Sequence, residues 1–413
     1  MKSMWPVWIV LAVLLLLPIG RASEAFIAIG AIAGLILAWN QRASLRADAG
    51  VRLAAILFAC YWLAALVSAP GAVAPEKSWS TVAVLLRFLP FALFACLALR
   101  KAAWWPLLID ACAAVVLLWL LDAWVQILTG FSLAGAETAD RLSGIFGAGN
   151  LKLGPVLAVL SPFVFVAARK LWGWRGLAVA FVFQLMPILF AGSRAAWIMY
   201  ALVALAFVWM QTRAPLRFAV WALAAACAAV LGIAVAWQHS GRFDLRFDRT
   251  LLALQGSEQA LDTASAGRMR IWRTALAIGE AHPVAGVGVR GFRYAYPQYA
   301  QAGDSFVDVN ADEGAYHAHQ IVLEVFSETG IVGLLLWLAG ALCAIRTWLR
   351  ATATARERAL APAFALAAMT FPLNTHLAFY SAWWGLLFWW LLALYCAALG
   401  ADDDGARRQR EHQ

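Results

Sequence analysis

Charge is what this chain has least of. Only 13% of its 413 residues are charged, against about 25% in a soluble domain, while 64% are hydrophobic. That shortage excludes an ordinary soluble domain and leaves a polytopic integral membrane protein. Disulfide chemistry is also missing. The six cysteines (Cys60, Cys96, Cys112, Cys227, Cys343, Cys396) all fall inside apolar runs, so none is expected to pair. There is no Cys-x-x-Cys or Cys/His zinc spacing and no GxxxxGK[ST] loop, which argues against a zinc centre or a P-loop ATPase. The net charge of +9 does not indicate nucleic acid, because the basic residues lie in short blocks between apolar runs without interleaved aromatics.

What is present is a series of apolar stretches. Crossing a bilayer takes about 17–25 residues. Twelve stretches qualify or nearly so, over 5–20, 24–39, 53–69, 79–99, 104–128, 151–168, 177–192, 194–211, 218–237, 320–343, 360–378 and 380–399. The first resembles a signal peptide, with Lys2 before it and Ala22-Ser23-Glu24-Ala25 after, and is read as an uncleaved anchor. The expected division is helices over 1–237, a large loop over 238–319, helices over 320–399 and a charged cytoplasmic tail over 400–413. Alternate connections hold eighteen Lys and Arg on one side and five (Arg21, Lys77, Arg141, Lys152, Arg194) on the other. The positive-inside rule therefore puts both termini in the cytoplasm and the large loop outside, in the periplasm of a bacterium. ATP is absent there, so any chemistry needs a substrate that is already activated.

The loop and the helix after it carry the candidate chemistry. Eight arginines (242, 246, 249, 268, 270, 273, 290 and 293) lie in the loop, which ends on Tyr316-His317-Ala318-His319-Gln320. His319, just before an apolar helix, suits a general base. His317 lies two residues away and is expected on the opposite side of a turn, a poor partner for holding a metal. Gly267-Arg268-Met269-Arg270-Ile271-Trp272-Arg273 opens an amphipathic helix reaching about Ala281, whose first explanation is rest on anionic lipid. The Pro283–Gly288 turn suggests a tight backbone path near a ligand or membrane surface. Arg194, after Gly192-Ser193, can snorkel, or can join a helix N-terminus in binding phosphate. Arg87 and Asp122 are the two charges read as intramembrane, roughly 12 and 9 Å from one face, and are expected either to pair or to line a cavity. The Gly-, Ala- and Ser-rich connection from Thr129 to Asn150 reads as a mobile flap. The loop acids Asp304, Asp308, Asp312 and Glu313 form no Asp-x-Asp pair and read as solvated surface or as orienting a neighbour.

His319-Gln320, then Gly330 and Gly333, together with Ser193-Arg194-Ala195, Gly267-Arg268 with Trp272, and Pro283–Gly288, resembles the bacterial O-antigen ligases within the wider O-antigen ligase and polymerase superfamily. Gln320 stands where asparagine is common in that family. The resemblance implies an all-α, GT-C-like membrane glycosyltransferase of about twelve spans with one large periplasmic loop, working in the inner membrane without metal or cofactor. It implies undecaprenyl pyrophosphate-linked polysaccharide as donor and lipid A–core oligosaccharide as acceptor, in lipopolysaccharide assembly. His319 would be the base, and Arg194 and Arg268 the pyrophosphate ligands. His317, Arg270, Arg290, Arg87 and Asp122 would be supporting residues. The alternatives are an O-antigen polymerase or protein O-oligosaccharyltransferase of the same superfamily and, outside the enzymes, a lipid-linked glycan flippase.

Overall fold

The structure, a computed structural model, describes residues 4–136, 141–239, 256–257, 260, 262, 265–307, 312–374 and 378–401. Lys2, Asp140, Arg242, Arg246, Arg249, Asp308 and the charged tail from Asp402 lie outside the described residues. The helices are α1 (Trp5–Leu15), α2 (Ala22–Asn40), α3 (Ala49–Ser68), α4 (Pro75–Leu85), α5 (Phe88–Ala98), α6 (Trp105–Thr129), α7 (Leu153–Phe190), α8 (Arg194–Thr212), α9 (Pro215–His239), α10 (Arg268–Ala281), α11 (Phe292–Tyr299), α12 (Ile321–Arg350), α13 (Ala353–Met369) and α14 (Ala382–Gly400). The described strand content is one ladder of Phe131-Ser132 on Gly135-Ala136. Nine described helices, counting α4 and α5 as one, are long and apolar enough to cross a membrane. The protein is thus all-helical and polytopic.

Helix limits follow local chemistry. Asp48, Ser193, Gln320, Thr352 and Ser381 each accept a first-turn N–H with their side chains, which starts α3, α8, α12, α13 and α14. Thr352 starts α13 seven residues before the expected 360. Pro90 has no N–H for the Leu86 carbonyl, and the stretch expected as one helix over 79–99 breaks there into α4 and α5. The 38-residue α7 leaves helical geometry at Trp172 and Gly173 and turns back on itself. Tyr200 of α8 touches Phe165 on one limb (ring centroids 5.8 Å apart) and Phe181 on the other (5.4 Å). A Cβ on Gly154, at the start of the first limb, would lie 2.9 Å from Ala191, at the end of the second. The limbs 153–171 and 174–190 are therefore antiparallel, as two separate spans require.

The core centres on α14, which packs against α3, α5 and α13. Its Trp389 is fully buried and stacks on Phe88, 5.8 Å between centroids. Alternate connections collect at opposite ends of the bundle. At one end Arg100 binds Asp48 (2.6 Å) and Gln41 (2.6 Å), and Arg358 reaches the Ala401 carbonyl (3.0 Å). At the other, Val73 donates to the Val287 carbonyl (3.0 Å) and Ser78 to that of Val289 (2.8 Å). Here too sit the α6–α7 connection, the α7–α8 turn and the segment before α14.

The described part of the large loop folds into a lobe with its own core. Ile271, Ala275 and Ile278 of α10 are buried against Val287, Phe292, Tyr296 and Ala318. The apolar face of α10 is therefore covered by protein, which corrects the expectation that it rests on lipid.

Candidate active site

The lobe docks on a break in α12. Gly330 has φ 64° and ψ −163°, which interrupts the helix and frees carbonyls on the turn before it. The Pro283–Gly288 segment takes them: Val287 donates to Ser327 (3.0 Å) and Gly288 to Glu328 (3.0 Å), while Ile331 donates back to Pro283 (2.8 Å). A Cβ on Gly330 would run into the Val284 backbone, and one on Gly286 into Glu328. The glycines of this turn thus admit the chain's own backbone, a different neighbour from the ligand or membrane expected.

Two glutamates fasten the same junction. Glu324 and Glu328, one turn apart on α12, are both fully buried. Glu324 Oε1 accepts the Phe379 N–H (2.7 Å), and Glu328 Oε2 accepts the Arg290 N–H (2.8 Å). Their other oxygens, Glu324 Oε2 and Glu328 Oε1, are buried without a hydrogen bond. Arg290, at φ 63°, is close enough to act on both carboxylates. Arg87 and Asp122 are therefore not the only charges buried in apolar helices. The signal was present as two acids four residues apart inside an apolar run.

His319 sits directly above this junction in sequence. Its backbone is left-handed, φ 55°, an uncommon state for a non-glycine residue, and it is held between the buried Ala318 and the helix-capping Gln320. The fold-back brings His317 and His319 together, their ring centroids 3.9 Å apart at 45°. This corrects the expectation of opposite sides, since spacing along the chain says nothing once one residue turns left-handed. Among the described residues, no group of three His, Cys, Asp or Glu is placed to hold a metal ion.

The basic residues separate by position. Arg268, first residue of α10, is half-buried, and its Nη1 donates to the Ser265 carbonyl (3.3 Å). Burial lowers its pKa to about 10, with further contributions from the guanidiniums of Arg194 and Arg141. Three arginines from distant parts of the chain therefore share one electrostatic site. Arg141 was not anticipated as part of it. Arg270 instead binds Asp262 (3.0 Å), and Arg293 pairs with Glu313 (3.5 Å) while lying over Tyr316. Asp304 accepts from the Tyr296 hydroxyl (2.8 Å) and is buried, so of the two roles expected for the loop acids it takes the orientation of a neighbour and not solvated surface.

Arg87 and Asp122 do not pair. Arg87, at the α4–α5 break, binds Glu24 of α2 (3.2 Å) and lies over Phe88. Asp122 Oδ1 instead accepts the Leu133 N–H (2.7 Å). One turn on, Gln126 Oε1 accepts the Gly144 N–H (2.7 Å), and Phe146 packs on Trp119 and Trp383. The described part of the connection read as a mobile flap is pinned at several points.

Within the bundle, a cavity of about 710 Å³ opens between α8, α12 and α13, lined by Met199, Val203, Ala341, Trp348 and Phe364 among others. A smaller one of about 130 Å³ shares Ala341, Ala344, Leu366 and Thr370 with it and reaches Tyr61, Phe379 and Tyr380 beside Glu324. Both are almost wholly apolar.

The architecture and the site define a polytopic membrane protein with a basic cluster and a histidine pair carried on a docked extramembrane lobe. Residues 178–338 match the model of the family described as O-antigen ligase, so the chain carries that family's domain, of the ligase and polymerase type of membrane glycosyltransferase. The match runs from the second limb of α7 to beyond the break in α12 and includes Arg194, Arg268 and His319. No curated protein sequence matches the chain.

Proposed function

We propose that the protein is an O-antigen ligase, an inverting glycosyltransferase that moves polysaccharide from undecaprenyl pyrophosphate to a sugar hydroxyl of lipid A–core oligosaccharide at the periplasmic face of the inner membrane. The observation that carries this reading is the shared field of Arg268 and Arg194 at the bundle end that also bears the lobe with His319. Like charges gathered in a part-buried setting repel, and a polyanion between them relieves the cost. Planar guanidiniums suit a pyrophosphate, whose negative charge grows as the glycosidic bond breaks.

In this reading the His319 imidazole takes the proton of the acceptor hydroxyl as its oxygen attacks the anomeric carbon of the donor. The carbon–oxygen bond to the pyrophosphate breaks on the opposite face, so the anomeric centre inverts. Undecaprenyl pyrophosphate leaves with its charge held by Arg194 and Arg268. The apolar cavity beside α12 supports a lipid-linked donor, since it offers a hydrocarbon tail a path inside the bundle below the lobe.

The test is transfer by the purified protein with undecaprenyl pyrophosphate-linked glycan and lipid A–core in EDTA. Extended lipid A–core is expected, and His319→Ala should lower its rate by about 10²–10⁴-fold, the usual contribution of a general base. A donor glycan that lengthens with lipid A–core untouched would make the protein a polymerase. A fully active His319→Ala would remove the base assignment.

A further inference from the structure

The geometry points to Arg141 as a third guanidinium of the pyrophosphate site, delivered there by the clasp that Asp122 and Gln126 form on the α6–α7 connection. The inference rests on the donor reading above and extends it to a residue outside the matched stretch 178–338.

The placement comes from the backbone on both sides of the site. Leu142 donates to the Phe190 carbonyl at the end of α7 (3.2 Å), so Arg141 lies beside the turn that Ser193 closes and Arg194 follows. Arg268 feels both guanidiniums. Holding Arg141 there is the work of two polar side chains that an apolar helix would otherwise exclude. Asp122 and Gln126 are 5% and 3% exposed, and one oxygen of each accepts a loop N–H, Asp122 Oδ1 that of Leu133 and Gln126 Oε1 that of Gly144, while Asp122 Oδ2 is buried without a hydrogen bond. Ser132 Oγ adds a bond to the Gly144 carbonyl (3.2 Å). A Gly- and Ser-rich connection left to itself would sample many conformations. Buried acceptors committed to its backbone fix it at a cost in desolvation that bilayer packing alone does not demand.

The chemistry assigns the third guanidinium a task. Two arginines can hold one phosphoryl group through paired hydrogen bonds; a third matches the extra charge and oxygens of a diphosphate. Arg141 would thus favour lipid pyrophosphate over lipid monophosphate. Asp122 and Gln126 are positioning residues that act through it.

The experiment measures binding of undecaprenyl pyrophosphate and of undecaprenyl monophosphate to the full-length protein in nanodiscs. Arg141→Gln should weaken pyrophosphate binding by about ten- to a hundredfold, the range for a hydrogen bond to a charged group, and shrink the preference over monophosphate, with KM for lipid A–core unchanged. Arg141→Lys should fall between, since a point charge does not reproduce the fork. Asp122→Ala should weaken pyrophosphate binding in the unmodified protein and add nothing in Arg141→Gln, a non-additivity that a merely structural role would not give. If Arg194→Gln and Arg268→Gln lose pyrophosphate binding while Arg141→Gln and Arg141→Lys keep it, the inference is overturned and the donor reading stands. If all the arginine variants bind normally, the donor reading itself falls.

Discussion

At the scale of single residues, the half-buried Arg268 at the start of α10 is held away from its ordinary protonation equilibrium. Its pKa of about 10 lies below the ordinary guanidinium value, so burial and its neighbours disfavour the charged form. The unfolded chain therefore binds more protons than the folded one between those values. Stability linked to Arg268 rises with pH across that window, and the charge costs stability below it. Function runs the other way. Donor binding should be flat up to about pH 9 and decline as pH rises through about 10, with saturating donor moving the decline upward because it favours the guanidinium. Binding of undecaprenyl pyrophosphate to inactive His319→Ala across pH 7–11 checks this, and a profile that is flat throughout would separate Arg268 from the phosphate. Arg268, Arg194 and His319 were legible in the sequence because their neighbours form spaced motifs. Arg141 was not, because nothing around it repeats a pattern and its importance comes from two chain segments meeting.

At the scale of elements, the junction between α12 and the Pro283–Gly288 turn carries the site. Gly330 holds a backbone state that L-residues rarely adopt, with the Val284 backbone against its Cα. Gly330→Ala should therefore cost more than the ~1 kcal/mol of helical exchange, on the order of 1–3 kcal/mol or more, seen as a lower melting temperature in detergent together with lost transfer. Glu328 can be separated from its charge. Glu328→Gln keeps an oxygen for the Arg290 N–H, whereas Glu328→Ala strands that donor in a buried place. The alanine variant should be the less stable by about 1–3 kcal/mol, and equal melting temperatures would show that the bond is not what matters. The spacing of His319, Gly330 and Gly333 marked this element in the sequence. The glycines of the turn that meets it were expected to face a ligand or a membrane surface. They face protein instead, because the kink frees carbonyls that the N–H groups of Val287 and Gly288 satisfy.

At the scale of the whole molecule, α7 as a hairpin brings the α6–α7 connection and the turn around Ser193 to one end of the bundle, and α8 carries the chain from there to Arg213 at the other. Substituted-cysteine labelling in an otherwise cysteine-free protein checks the orientation. Gln301→Cys should react with a membrane-impermeant maleimide in intact cells, and Arg213→Cys only after the inner membrane is opened; the reverse result would invert the protein and move the active site to the cytoplasm. Sequence alone determined the membrane class and the nearly complete set of spans, and it singled out the residues proposed as a base and its anion partners. These are properties of composition and local order, and a bilayer reads them segment by segment. Tertiary structure decided the partners. Arg87 binds Glu24 rather than Asp122, Asp122 holds a loop, α10 packs on protein rather than lipid, and His317 lies against His319. Each of these depends on which helix faces are brought together and on where a backbone turns left-handed, and neither is encoded within one short stretch of chain.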